Sequence, residues 1–101
     1  MHLEVADNPD EQRYEVHADG ELAGYTTYHR RGERIALNHT EILDAFEGKG
    51  VGSALVARTL DDLRERKREV LPFCPFVRGY IQRHPDYRDV VLEGDRGRFG
   101  L

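Results

Sequence analysis

A single cysteine, Cys74, in 101 residues leaves no partner for an internal disulfide. That scarcity suits a reducing compartment, and the chain reads as cytoplasmic. No apolar run approaches the roughly 20 residues that a membrane span requires, so no membrane role is expected. The opening stretch Met1-His2-Leu3-Glu4-Val5-Ala6-Asp7 lacks the basic and apolar regions of a signal peptide. Positive charge is also short: 19 acidic residues against 15 Lys and Arg give a net charge of −4. An overall basic footprint for nucleic acid is therefore absent. The arginines gather between Arg58 and Arg98, but a mixed, solvated surface is the expectation there. Metal-ligand spacing is missing as well. The five histidines form no His-x-x-x-His pair, no Cys-x-x-Cys exists, and no metal site is expected.

What remains is a chain with room for one core, 39% apolar and 34% charged. Asn8-Pro9-Asp10 signals a turn and Asp19-Gly20 a hairpin. Tyr14–Ala18 alternates like a strand, and Glu21–Arg30 is rich in β-formers. After Arg31-Gly32-Glu33, Arg34–Ile42 makes another strand. These three form an antiparallel meander, with Leu3–Ala6 as a short edge strand. From Val51 to about Lys67, Val51, Leu55, Val56, Leu60 and Leu63 recur at helical spacing. Val70-Leu71 fits one strand, and Phe76–Arg83 a short helix with Pro75 in its first turn. His84-Pro85-Asp86 ends that helix, and Tyr87–Leu92 reads as a last strand. The fold class is α+β, with a domain over residues 1–92. The glycine- and arginine-rich tail, residues 93–101, is expected to be disordered. No internal repeat is present.

Between the meander and the long helix stands Glu47-Gly48-Lys49-Gly50-Val51-Gly52-Ser53. Glycine lets backbone approach a ligand without a Cβ in the way. The helix N-terminus that follows offers free N–H groups and a positive dipole end. Together they make an anion seat, most naturally for phosphate or pyrophosphate. The nucleoside-triphosphate loop pattern fails, because Leu43 stands where it needs glycine and Gly50 follows Lys49 where it needs a hydroxyl residue. The dinucleotide pattern fails too: its third glycine falls on Ser53 or Leu55, and it belongs in a βαβ unit.

A third pattern, Gln/Arg-x-x-Gly-x-Gly/Ala, resembles Glu47-Gly48-Lys49-Gly50-Val51-Gly52 closely. It is the pyrophosphate loop of the GNAT N-acetyltransferase superfamily. His39-Thr40-Glu41, Pro72-Phe73-Cys74-Pro75-Phe76-Val77 and His84-Pro85-Asp86-Tyr87 also look like a short, single-domain branch of that superfamily. The resemblance covers roughly residues 3–92 and departs at Glu47, where Gln or Arg is usual. It implies that Gly48 to Ser53 hold the pyrophosphate of acetyl-CoA. It also implies that the backbone near Ile42 and Leu43 meets the pantetheine arm.

Acetyl transfer to an amine needs the thioester held beside a neutral amine, a stabilised carbonyl oxygen and an outlet for the amine's proton. Glu41 and His39, two apart on one strand, share a face, and either could take that proton. The superfamily often uses an acid on this strand as base. Cys74 is either a small buried hydrophobe or a thiol beside the acyl end of the cofactor. Tyr80 stands near the place where the superfamily carries an acid for the leaving thiolate; Tyr14 and Tyr87 read as packing. The expected function is acetyl transfer from acetyl-CoA to an amine on a protein, a peptide or a small molecule. So short a chain gives a shallow acceptor pocket, or one completed by a partner or a second copy. The competing readings are a CoA-binding module without catalysis and a protein-interaction domain with a purely structural glycine turn.

Overall fold

The computed structural model describes residues 1–101. Side-chain alternation decides how the sheet lies. In β2 (Arg13–Ala18), Tyr14, Val16 and Ala18 are buried while Arg13, Glu15 and His17 stay partly exposed, the period of two that a pleated strand imposes. β1 (Leu3–Asn8), β3 (Glu21–Arg31) and β4 (Arg34–Ile42) pair with it as an antiparallel meander in chain order. Asp19 and Gly20 both take positive φ, 49° and 85°, as a tight hairpin turn matched to strand twist requires. β5 (Glu69–Pro72) then adds parallel to β4, giving the order β1-β2-β3-β4-β5.

The crossover from β4 to β5 is α1 (Val51–Glu65), which buries Leu55, Val56, Thr59, Leu60 and Leu63. A polar cluster pins it to the sheet. Tyr14 donates its hydroxyl to Asp62, and Tyr28 donates to Asp7 at 2.7 Å. Arg66 joins Asp7 and Asp62 at 3.3 and 3.2 Å. Tyr14, expected as packing, is thus both buried and bonded. The opposite face of β1–β4 carries Glu4, Arg13, Glu15, Tyr25, Thr27, His39 and Glu41, all partly or fully exposed. No helix of the chain is long and apolar enough to cross a membrane.

One irregularity positions the site. The β3–β4 register shifts between Thr27 and Tyr28, which pair with His39 and Leu37 and leave Asn38 as an extra residue. Such a bulge bends its strand and raises the local twist. β4 pairs with β5 only from Arg34 to Leu37. Beyond that point the two strands part, and the Cys74 N–H bonds to the Leu37 carbonyl at 2.8 Å.

The C-terminal third departs from expectation. Tyr87–Leu92 forms no strand; Pro85–Val90 is a 3₁₀ helix. Tyr87 donates to Asp61 at 2.8 Å, and Arg64 bonds the Asp86 carbonyl and the Asp89 carboxylate. These tie the segment to α1, with Val90 and Val91 in the core. α2 (Pro75–Arg83) precedes it as expected. The tail is folded rather than disordered: Glu93–Arg96 makes a helical turn (α3), followed by a 3₁₀ turn at Gly97–Phe99. Phe99 is buried and meets Phe73 edge-on at 5.2 Å. Leu101, the other large apolar residue of the tail, also packs against the core.

Candidate functional site

Beyond the paired part of β4 lies a cleft of about 460 Å³, lined by the end of β4, the glycine loop, the start of α1 and Phe76 of α2. Gly48 and Gly50 take φ of +75° and +76°, a left-handed backbone that L side chains rarely adopt. A Cβ on either would meet nothing within 4 Å. Gly52 differs: its Cβ would lie 2.7 Å from the Phe76 ring. Two glycines turn the chain, and the third lets α2 close against α1.

Gly50 caps α1, and no side chain bonds the helix end. The first helical bond runs from the Ala54 N–H to the Gly50 carbonyl at 3.1 Å. The N–H groups of Val51, Gly52 and Ser53 precede it and have no intrahelical acceptor. The first turn carries no acid, so no carboxylate within it offsets the positive end of the helix dipole; Glu47 is the acid that lines the cleft beside it. All three residues line the cleft, as do Glu47, Gly48 and Gly50. Lys49 is exposed beside them and is not part of the lining.

Of the two residues expected along a cofactor arm, Ile42 lines the cleft and Leu43 does not. The Leu43 N–H is engaged by the Ala23 carbonyl at 2.8 Å. Alternation along the strand turns the backbone of Ile42 the other way, toward the gap. His39 and Glu41 bond each other at 3.1 Å, with side chains 60% and 49% exposed. They stand on the face away from α1, and Glu41 alone of the pair reaches the cleft lining.

Cys74 is buried just behind the cleft wall, and its thiol donates to Thr40 Oγ1 at 3.4 Å. Tyr80 lies outside the cleft, stacked on His84 at 4.2 Å and near Tyr87. Burial pushes its phenol pKa up, and the Asp61 and Asp86 carboxylates add to the shift. Three lining residues escaped sequence reasoning: Thr40, Phe46 and Phe76. Thr40 could have been found, since it sits between His39 and Glu41 and must face the other side of the sheet. Phe46, in the 3₁₀ turn Asp44–Phe46 just before Glu47, carries no group that marks it, and Phe76 is brought in from a distant segment.

The arrangement offers an anion seat at one end, an extended strand edge along its wall and a hydroxyl at the closed end. Residues 13–90 match the profile described as GCN5-related N-acetyl-transferase. Over 59 residues, 57% of this chain, the sequence is 32% identical to Protein NATD1 of Gallus gallus and of Mus musculus, covering 54% of each. The same identity holds for Protein NATD1 of Homo sapiens, over 52% of its length. The chain spans about half the length of these curated relatives. The solution structure of a GCN5-like protein from Staphylococcus aureus has a TM-score of 0.67 to it, covering 89% of this chain and 88% of that one. At 24% identity this likeness is one of fold. The profile covers most of the chain, including the glycine loop and the parted strands, and the chain belongs to the GCN5-related N-acetyl-transferase family.

Proposed function

We propose that the chain binds acetyl-CoA in this cleft and transfers its acetyl group to an amine. One observation carries the reading: the start of α1, with no side-chain cap and no acid in its first turn, opens into the cleft that Thr40, Glu41 and Ile42 of β4 also line. A pyrophosphate suits the free N–H groups of Val51, Gly52 and Ser53. The arm of the cofactor then follows β4 past Ile42. Its acyl end lies where the strands rejoin, and the exposed face of the sheet gives an amine access to it. Glu41, bonded to His39, stands on that face to take the amine's proton, directly or through water. The amine nitrogen adds to the carbonyl carbon, and the carbon–sulfur bond then breaks, its electron pair leaving on the CoA sulfur. An acceptor face without a covering helix favours a protein or peptide amine.

The test separates charge from backbone strain. Gly50→Asp and Gly50→Asn both place a similar side chain at the positive-φ cap, and both residue types tolerate it better than most. In calorimetry with acetyl-CoA and with CoA, Gly50→Asp is expected to lose binding while remaining folded, and Gly50→Asn to retain it in part. Equal binding by Gly50→Asp and the unaltered chain would remove the loop assignment. Acetyl-CoA consumption against a panel of peptide amines then separates an enzyme from a module that only binds.

A further inference from the structure

At the end of the cleft nearest the paired part of β4 stands the Thr40 hydroxyl, held from behind by a second hydroxyl and a thiol. Thr26 is fully buried, and its Oγ1 has one side-chain partner, Thr40 Oγ1 at 3.0 Å. A buried hydroxyl proton without an acceptor is costly, so Thr26 donates and Thr40 accepts. The Cys74 thiol donates to the same oxygen at 3.4 Å. A hydroxyl oxygen has two acceptor positions. Both are then filled from the buried side, and the Thr40 proton has one direction left, into the cleft that Thr40 lines.

The place matters as much as the direction. Thr40 stands where the gap closes, three residues beyond Leu37, the last β4 residue paired with β5. A long ligand seated by its phosphates on the first turn of α1 has its far end there. We infer that Thr40 is a pre-set hydrogen-bond donor to the acyl thioester, with Thr26 and Cys74 as the residues that position it. The inference rests on the acetyl-CoA reading for the identity of the ligand. As the amine attacks, the carbonyl π pair moves onto oxygen, and the Thr40 hydroxyl stabilises that charge without giving up its proton. The oxygen's pair then returns as the carbon–sulfur bond breaks. A donor fixed before the reaction spends no reorganisation during it. In this scheme Cys74 acts through Thr40, which accounts for a thiol buried behind the wall rather than exposed in it.

Three readouts on one set of variants test this: calorimetry with acetyl-CoA and with CoA, the ¹³C resonance of carbonyl-labelled acetyl-CoA when bound, and steady-state kinetics. The unaltered chain is expected to prefer acetyl-CoA over CoA by roughly two- to tenfold, the value of one hydrogen bond. Thr40→Val is expected to keep CoA affinity, lose that preference and return the carbonyl resonance toward its free position. Its kcat is expected to fall on the order of a hundredfold with little change in KM. Thr40→Ser is expected to retain all three properties. Removing both positioning donors, Thr26→Val with Cys74→Ala, is expected to give an intermediate loss, since the hydroxyl remains but is no longer aimed. Should Thr40→Val not fold, Thr40→Ala supplies the same comparison. If the unaltered chain binds both ligands and the Thr40 variants leave preference, resonance and kcat unchanged, the inference is overturned alone. If it binds neither ligand, the acetyl-CoA reading falls and takes the inference with it.

Discussion

Gly48, Gly50 and Gly52 look alike in the sequence, and the structure gives them two different jobs. The alternation of glycines with a helix behind them was enough to mark an anion seat. It could not show that Gly52 is glycine because the Phe76 ring lies against it. That contact has a measurable consequence. The atom a Cβ would meet is the far end of a side chain that is 41% exposed, so the ring can swing aside. Gly52→Ala is therefore expected to change stability by less than about 1 kcal/mol in urea unfolding, because the better helix propensity of alanine offsets the displacement of the ring. Moving the ring from the cleft wall is expected to weaken CoA binding several-fold by calorimetry. In a Phe76→Ala background the same change is expected to add nothing. A large loss of stability would show that the ring is held in place, and unchanged binding that it does not form the wall. Cys74 and Tyr80 teach the same lesson, because residue type and position along the chain left their directions open. Packing put one behind Thr40 and the other beside His84.

At the scale of elements, the helical period of α1 was plain in the sequence, and Asp62 and Arg66, four apart on it, pair at 3.2 Å. What the spacing could not show is that Asp62 also receives the Tyr14 hydroxyl, from a strand 48 residues earlier. Three such phenol-to-carboxylate bonds tie α1 and its neighbours together, and they predict an alkaline limit to stability. Burial, then Asp7, pushes Tyr28 up to about 12, and burial, then Asp61, does the same for Tyr87. Tyr14 is raised further, by burial and then by Asp62. In the unfolded chain these phenols ionise near their ordinary value of 10.0. Between pH 10.0 and about 12 the folded state thus holds more protons than the unfolded one, so stability falls as pH rises. The contribution is complete below pH 10.0 and is lost as pH climbs through the raised values. Urea midpoints across that range, read beside tyrosinate absorbance, are expected to drop steeply. Tyr28→Phe is expected to flatten part of the drop; an unchanged slope would remove Tyr28 from the account.

For the whole molecule, the C-terminal segment decides how far the fold extends. Val90 and Val91 suggested a strand, yet contacts with Asp61 and Arg64 of α1 hold their neighbours in a 3₁₀ turn. The tail then brings Phe99 against Phe73, with Arg98 over both rings, and Asp95 within 3.6 Å of Arg34 on β4. Phe99→Ala is expected to cost about 3 kcal/mol, the lower end for a buried phenylalanine. Urea unfolding checks this, and a cost under about 0.5 kcal/mol, the range of surface changes, would return the tail to the status of an ornament.

The sequence by itself determined the meander, the long helix and the glycine turn between them. Each of these depends on side-chain period and turn chemistry acting within a few residues. Only the tertiary structure decided where β4 leaves β5, which follows from the bulge at Asn38 and the short β5 ladder. It also decided that Thr40, flanked by the two residues the sequence favoured, faces the cleft while Cys74 backs it. The physical reason is the same in both cases: these outcomes join segments tens of residues apart, and local preferences do not encode such contacts.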